Sequence, residues 1–319
     1  MKIYSFIDEF SSFSPCVFTL GFFDGVHRGH QRVIKNLIFR AKKKEEYCSV
    51  LLTFNPHPKE VLNPGKKIFY LNTLSERIYH LRKTGVEHLI IHPFTINFSK
   101  LSAKDFFQKI LFSKLKIKQI ITGYDSHLGK DRDGSSHQLK KFSQIYGFKL
   151  YQVSPHKLKK KIISSTYIRK SLLKGNIEWA NKALGYLYTL SGYVIKGRGI
   201  GRTLNFPTAN VQVDKKKLIP KKGVYAVKIN YLSQIYQGMM NIGICPTIHS
   251  FNKEIKIEVH IFDFHQNIYG KKIDVLIVQI FRDEMKFQTL HDLKRQISQD
   301  KMKIKNFFNQ IIYCDKKNR

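Results

Sequence analysis

The chain has 319 residues, an apolar fraction of 42% and a formal net charge of +33 from 56 basic and 23 acidic residues. That is length for one large or two ordinary folded domains, and the charge implies affinity for polyanions at low salt. The four cysteines (Cys16, Cys48, Cys245 and Cys314) are widely separated and suggest neither a zinc site nor a disulfide framework; no apolar run approaches the ~20 residues of a membrane span, and the N-terminus lacks a signal-peptide core.

In chain order, the first signal is a strand-like run from Cys16 to Leu20, followed by Gly21-Phe22-Phe23-Asp24-Gly25-Val26-His27-Arg28-Gly29-His30. Val33, Ile34, Leu37, Ile38 and Ala41 then form an apolar stripe at helical spacing. Strand, tight glycine loop and helix start make an anion site, because a helix start offers unpaired N–H groups and a positive dipole end. His27 and His30, three apart, are expected on one side of that helix, with Gly29 leaving room for a phosphate. The plain alternative is a helix with two surface histidines.

Further strands are expected at Ser49 to Phe54, Leu89 to His92, Gln119 to Thr122 and Lys149 to Val153. Helices are expected from Ser75 to Lys83 with Ser75 as N-cap, from Ser102 to about Ser113, and around Gln138 to Tyr146. Alternating strands and helices predict an α/β domain with a mostly parallel, Rossmann-like sheet. Its loops after strands gather at one edge: the glycine loop, the Asn55-Pro56-His57-Pro58 turn and the loop from Gly123 to Gly129. Ser165 or Thr166 is expected to cap a helix ending near Gly175, with Arg169 in its first turn as a phosphate clamp.

From about Ala180 the pattern changes to short β-type segments and glycine turns. Val224 to Ile229, Ile255 to Ile261 and Ile273 to Ile280 read as strands, and Thr289 to Phe308 as a helix. This predicts an antiparallel sheet or small β-barrel with a terminal helix, and a boundary near Gly185: domains 1–184 and 185–319. Gly197, Gly199 and Gly201 form a glycine loop that matches neither GxGxxG nor a Walker loop, and no helix is expected after it. Thr208 and Asn210, two apart, would put two oxygens on one face, suited to Mg2+. Glu258 and His260 alternate with apolar Ile257, Val259 and Ile261. Alternation alone favours a solvent-exposed glutamate; a cleft on that face would make Glu258 a general base.

The two motif sets carry a resemblance. Gly21 to His30, together with Ile163-Ser164-Ser165-Thr166 and Arg169, resembles the HxGH nucleotidyltransferases and the adenylyltransferase module of bacterial FAD synthetases. The segments from Gly201 to Asn210, Gly223 to Ala226, Asn241 to Thr247, Glu258 to His260 and Phe281 to Phe287 resemble the riboflavin kinase module, in the same order. The chain therefore resembles the bifunctional bacterial riboflavin kinase/FMN adenylyltransferases from about Phe18 to Asp300. Asn205 stands where the family usually has glycine, and Ser126 to Leu128 lack its usual aromatic and arginine residues.

The resemblance implies an Mg2+-dependent enzyme acting on riboflavin, FMN, FAD and ATP; the scattered cysteines and the lack of a signal-peptide core make a reducing cytoplasm the expected location. In the adenylyltransferase it implies ATP contacts at Gly21, Phe23, Asp24, Gly29, Ser165, Thr166 and Arg169, catalytic His27 and His30, and a flavin side at Phe54, Asn55, Pro56, Pro58 and Asp125. In the kinase it implies ATP contacts at Gly197, Gly199, Gly201 and Thr208, metal ligands Thr208 and Asn210, catalytic Glu258, and flavin contacts at Arg282, Met285 and Phe287. Rival readings are an HxGH cytidylyltransferase, which leaves the second motif set unexplained, a chain with one inactive module, and a basic nucleic-acid-binding protein. Lysine is spread in short clusters (Lys42 to Lys44, Lys159 to Lys161, Lys215 to Lys217), so no specific nucleic-acid partner and no membrane partner are expected. Oligomeric state stays open.

Overall fold

The structure, a computed structural model, describes residues 1–11, 14–65, 67–124, 136–197, 199–244 and 255–317. It divides into two compact units, Met1–Ser165 and Thr166–Arg319.

In the first unit, β1 (Lys2–Tyr4) and a 3-10 turn (Ile7–Glu9) precede β2 (Cys16–Leu20), α1 (Arg28–Lys42) and β3 (Cys48–Phe54). Then come α2 (Pro58–Leu62), α3 (Leu74–Lys83), β4 (His88–His92), α4 (Ile96–Ser99), α5 (Ala103–Asp105) and a π-helical stretch (Phe106–Phe112). The unit continues with β5 (Ile117–Gly123), α6 (Ser136–Tyr146), β6 (Lys149–Val153) and the short hairpin β7 (Lys157–Leu158) and β8 (Lys161–Ile162). Six strands form one parallel sheet in the order β1-β4-β3-β2-β5-β6. All seven residues of β3 are buried, as expected of a central strand covered on both faces. One face packs Phe18, Val50, Leu52, Phe107 and Leu111; the other packs Val17, Leu51, Ile34, Leu37 and Leu89. The chain builds outward from β2 in both directions, so the loop after β2 lies at the topological switch point.

Three local expectations are corrected here. Thr73, not Ser75, caps α3, through a capping box with Glu76. The helix expected over 102–113 changes from α to π winding at Phe106, where Phe106, Phe107 and Leu111 are drawn into the core. Ser165 is the first residue of its helix, and its hydroxyl donates to the Asp24 carbonyl oxygen at 2.8 Å.

The second unit opens with α7 (Ser165–Leu173) and α8 (Ile177–Leu184). β9 (Tyr188–Ile195), α9 (Ile200–Thr203), β10 (Ala209–Val213), β11 (Gly223–Tyr231), β12 (Gln234–Ile244), β13 (Ile255–Ile261), β14 (Lys272–Arg282) and α10 (Leu290–Lys317) follow. The six strands close into an antiparallel barrel, β10-β13-β12-β11-β14-β9. Its interior is filled by alternating residues such as Tyr225, Val227, Met240, Ile257, Val259 and Val275. A second cluster on the outside of β11 and β12 joins Val224, Ala226 and Met239 to Ile304 and Phe308 of α10. β11 is therefore buried on both faces, and strict alternation is lost there. α8 belongs to this packing: the Asn181 side chain donates to the Ile277 carbonyl at 3.0 Å. α8 went unread in the sequence, as did β9, β10 and β12. A further correction is α9, a single turn that begins inside the glycine loop, where no helix was expected.

Candidate active sites

In the first unit the loop after β2 is tightly wound. Phe23 (φ 56°), Gly25 (φ 83°) and Val26 (φ 35°) all take left-handed backbone. For Phe and β-branched Val this is strained, and their near-complete burial holds it. His27 is the N-cap of α1 instead of a residue on its face: the His30 N–H donates to His27 Nδ1 at 3.3 Å. Nδ1 therefore carries the lone pair and the ring proton sits on Nε2. The two imidazoles stack with centroids 3.6 Å apart. Burial, then the neighbouring His27, holds His30 well below the ordinary imidazole range, so His30 is neutral. Gly29 is needed for a different reason than expected. A Cβ there would come within 3.1 Å of the His27 ring, so the missing side chain makes room for His27.

Gly21 gives similar space to the Phe23 ring, which meets His30 edge-on at 5.2 Å. Asp24 turns inward: its carboxylate accepts from the Leu71 and Asn72 N–H groups, both at 3.1 Å. In this structure Asp24 braces the loop. Phe54 likewise packs into the core, edge-on to Phe94 and Phe98. Asn55 and Pro56 form the turn after β3, the Asn55 N–H donating to the His92 carbonyl at 3.2 Å, and Pro58 opens α2 with His57 as its N-cap. Thr166 and Arg169 lie on α7 in the second unit. Asp125 and the neighbouring Ser126 to Leu128 lie outside the described residues.

One residue the sequence reading missed links these loops. Arg77 of α3 is buried, and its guanidinium donates to the Phe22 carbonyl (3.0 Å) and the Phe54 carbonyl (2.9 Å). It also sits 4.2 Å from the Phe22 ring centroid. Burial pushes its pKa down to about 10, against the pull of Asp24 and Tyr70, so it stays charged near neutrality. Nothing in a helical pattern marks such an arginine, because its partners are backbone atoms far away in sequence.

In the second unit a cavity of about 350 Å³ opens into the barrel wall. A row of side chains crosses five adjacent strands beside it: Asn210 pairs with Glu258, Glu258 with Asn241, Asn241 with Val224, and Val224 with Arg282. All five line the cavity. Glu258 thus faces a cleft, where alternation alone had favoured solvent. Thr208, Gly199 and Gly201 also line it, as do Met285 and Phe287. Gly197 is set behind: a Cβ there would lie 2.1 Å from Asn210 Nδ2, and one on Gly201 would lie 3.0 Å from Thr208 Oγ1. These glycines let the loop press against the two proposed metal ligands. Asn205 has φ 67°, the left-handed conformation that Asn tolerates. Arg282 is committed elsewhere: Nε and Nη2 donate to Asp300 at 2.9 and 2.7 Å, and Nη1 to the Asp283 carbonyl at 3.0 Å. It ties β14 to α10, which brings Leu293 and Ile297 to the cavity wall. Asn241 and Asp300 were also missed; each acquires its place through strand register or helix docking.

Each unit matches a known protein family. A FAD synthetase family model matches residues 10–167 and a riboflavin kinase model matches residues 184–308. This chain belongs to the bifunctional riboflavin kinase/FMN adenylyltransferase family. The relative from Buchnera aphidicola subsp. Schizaphis graminum is 41% identical over 92% of this chain and 94% of that one. The relative from Listeria monocytogenes is 39% identical over 95% and 96%, and that from Escherichia coli K12 is 34% identical over 92% and 93%. A crystal structure described as a macrolide-efflux protein from Streptococcus pneumoniae matches with a TM-score of 0.87 at 32% identity, over 96% of this chain and 98% of that one. No described helix of this chain is long and apolar enough to cross a membrane. The enzyme is a transferase carrying both activities, and uses ATP to make FMN and FAD.

Proposed function

We propose that the cavity of the barrel phosphorylates riboflavin and the HxGH loop adenylylates the resulting FMN, with 1–184 and 185–319 as the functional modules. The observation that carries the kinase reading is the row Asn210–Glu258–Asn241, which centres one carboxylate between two amides on a cavity wall. Glu258 takes the proton of the ribityl 5′-hydroxyl as that oxygen bonds to the γ-phosphorus of ATP, and ADP leaves. Thr208 and Asn210 supply two hard, neutral oxygens, a donor set that fits Mg2+ completed by phosphate oxygens, and the close seat of Gly197 and Gly201 against them supports it. Bound there, Mg2+ would neutralise phosphate charge. Met285 and Phe287 offer apolar surface to the flavin, and the tethered Arg282 holds that wall in place.

In the first module an FMN phosphate oxygen attacks the α-phosphorus of a second ATP and pyrophosphate leaves. A phosphate is already a nucleophile, so the protein's work is positioning and charge stabilisation. This reading assigns that work to the N-terminus of α1 and the His27 ring, with neutral His30 stacked against it. Asn55, Pro56 and Pro58 shape the flavin side.

The test is a flavin time course with riboflavin, ATP and Mg2+, for the wild type, Glu258→Gln and His27→Ala. Wild type should accumulate FMN before FAD. Glu258→Gln should lose FMN formation by at least about a hundredfold yet convert supplied FMN to FAD, and His27→Ala should stop at FMN. Equal loss of both activities in either variant would sink the two-site reading.

A further inference from the structure

His260 is given no part in the reactions above, although it lines the same cavity. It is 6% exposed, two residues beyond Glu258 on β13. The ladder between β10 and β13 pairs Asn210 with Glu258 and Ala209 with Val259, then stops. The next pair would be Thr208 with His260, and Pro207 beyond has no N–H to offer. A side chain takes over at this point: His260 Nδ1 lies 2.8 Å from the Pro207 carbonyl oxygen. A carbonyl only accepts, so Nδ1 carries the proton and the ring's lone pair is on Nε2. Burial, assisted by Lys301 and Lys305, holds the pKa of His260 below the ordinary value, consistent with a neutral ring. Phe206 and Phe262 flank the ring edge-on, both at 5.7 Å. Nε2 has no hydrogen-bond partner among the described residues. The ring's one directional bond therefore grips the carbonyl immediately before Thr208.

We propose that His260 is a positioning residue of the kinase: through Pro207 it fastens Thr208 to the strand that carries Glu258, and so sets the nucleotide–metal side of the site against the base. The inference rests on the roles proposed above for Thr208, Asn210 and Glu258. It concerns where Thr208 sits, so its effect falls on the ATP–Mg2+ complex and spares riboflavin.

Three variants separate the two ring nitrogens. His260→Asn places an amide N–H near the position of Nδ1, His260→Gln places one near Nε2, and His260→Phe keeps a ring without either. The measurements are KM for ATP–Mg2+, KM for riboflavin, and calorimetric affinity for ADP with and without Mg2+. His260→Asn should stay within about threefold of wild type. His260→Gln and His260→Phe should raise KM for ATP–Mg2+ about tenfold or more and lose most of the Mg2+ enhancement of ADP binding. Riboflavin affinity should hold in all three, reporting an intact barrel. Rescue by Gln and failure of Asn would overturn the proposal in favour of a role for Nε2, and wild-type behaviour of His260→Phe would overturn it outright. Glu258→Gln, run in parallel, separates the two levels. FMN formation surviving in that variant defeats the underlying site reading, whereas its loss there beside a wild-type His260→Phe defeats the clamp alone.

Discussion

The stacked pair His27 and His30 shows how one residue type serves two ends. His27 gives its Nδ1 lone pair to the backbone and caps α1; His30, desolvated, stays neutral. The neutral state has a consequence for stability. An unfolded chain protonates a histidine below about pH 6.5, while the native state refuses that proton at His30, so stability falls as pH falls through that window. His88 and His92 act in the same direction, burial being the first cause for each. One imidazole contributes at most about 1.4 kcal/mol per pH unit. Calorimetric melting should drop progressively from pH 7 to pH 5, and His30→Asn should flatten that slope even though it impairs adenylylation. At this scale the spacing of the two histidines and Gly29 was legible, because a motif is local. The reason for Gly29 was not, since it depends on where the His27 ring rests.

At the scale of elements, the sites are held by side chains that reach from one element to the ends of others. Arg77 on α3 joins the Phe22 carbonyl in the loop after β2 to the last carbonyl of β3. Arg77→Met takes the guanidinium donor from the buried Phe54 carbonyl, at about 1–3 kcal/mol, while the Phe22 carbonyl keeps the Thr53 hydroxyl. Its melting temperature should fall, FAD formation from supplied FMN should drop about a hundredfold, and phosphorylation of riboflavin should persist. Gly197→Ala tests the opposite kind of contact. The new methyl group must displace the Asn210 amide, so KM for ATP–Mg2+ should rise about tenfold with KM for riboflavin unchanged, read by steady-state kinetics. Five of the six sheet strands of the first unit and its longer helices were legible from their apolar spacing; β1, three residues at the sheet edge, and the short α2 and α4 were not. The barrel was less so: β9, β10 and β12 went unread, and α9 is a single turn too short to produce a period. Caps were ambiguous because Thr73 and Ser75 are both good cap residues, and only the partner Glu76 distinguishes them.

At the scale of the whole molecule, two reactions that share ATP and pass FMN from one to the other occupy separate motif sets. FMN made by one molecule is chemically the substrate of any other. Mixing Glu258→Gln with His27→Ala protein should therefore restore FAD synthesis from riboflavin, with a lag while FMN accumulates, as chromatography of the flavins would show. The net charge of +33 should appear as retention on a polyanionic resin that salt reverses steeply. By itself the sequence determined the two modules and their order, and singled out the side chains proposed for the chemistry, because HxGH, the run Pro207 to Asn210 and the Glu258 segment are contiguous in the chain. Tertiary structure alone decided that Glu258 looks into a cavity and that Asn241 stands beside it. It alone also decided that Asp24 and Phe54 turn inward and that Arg77, Asp300 and His260 act as braces. Those outcomes depend on strand register and helix docking, which bring together atoms that no local spacing connects.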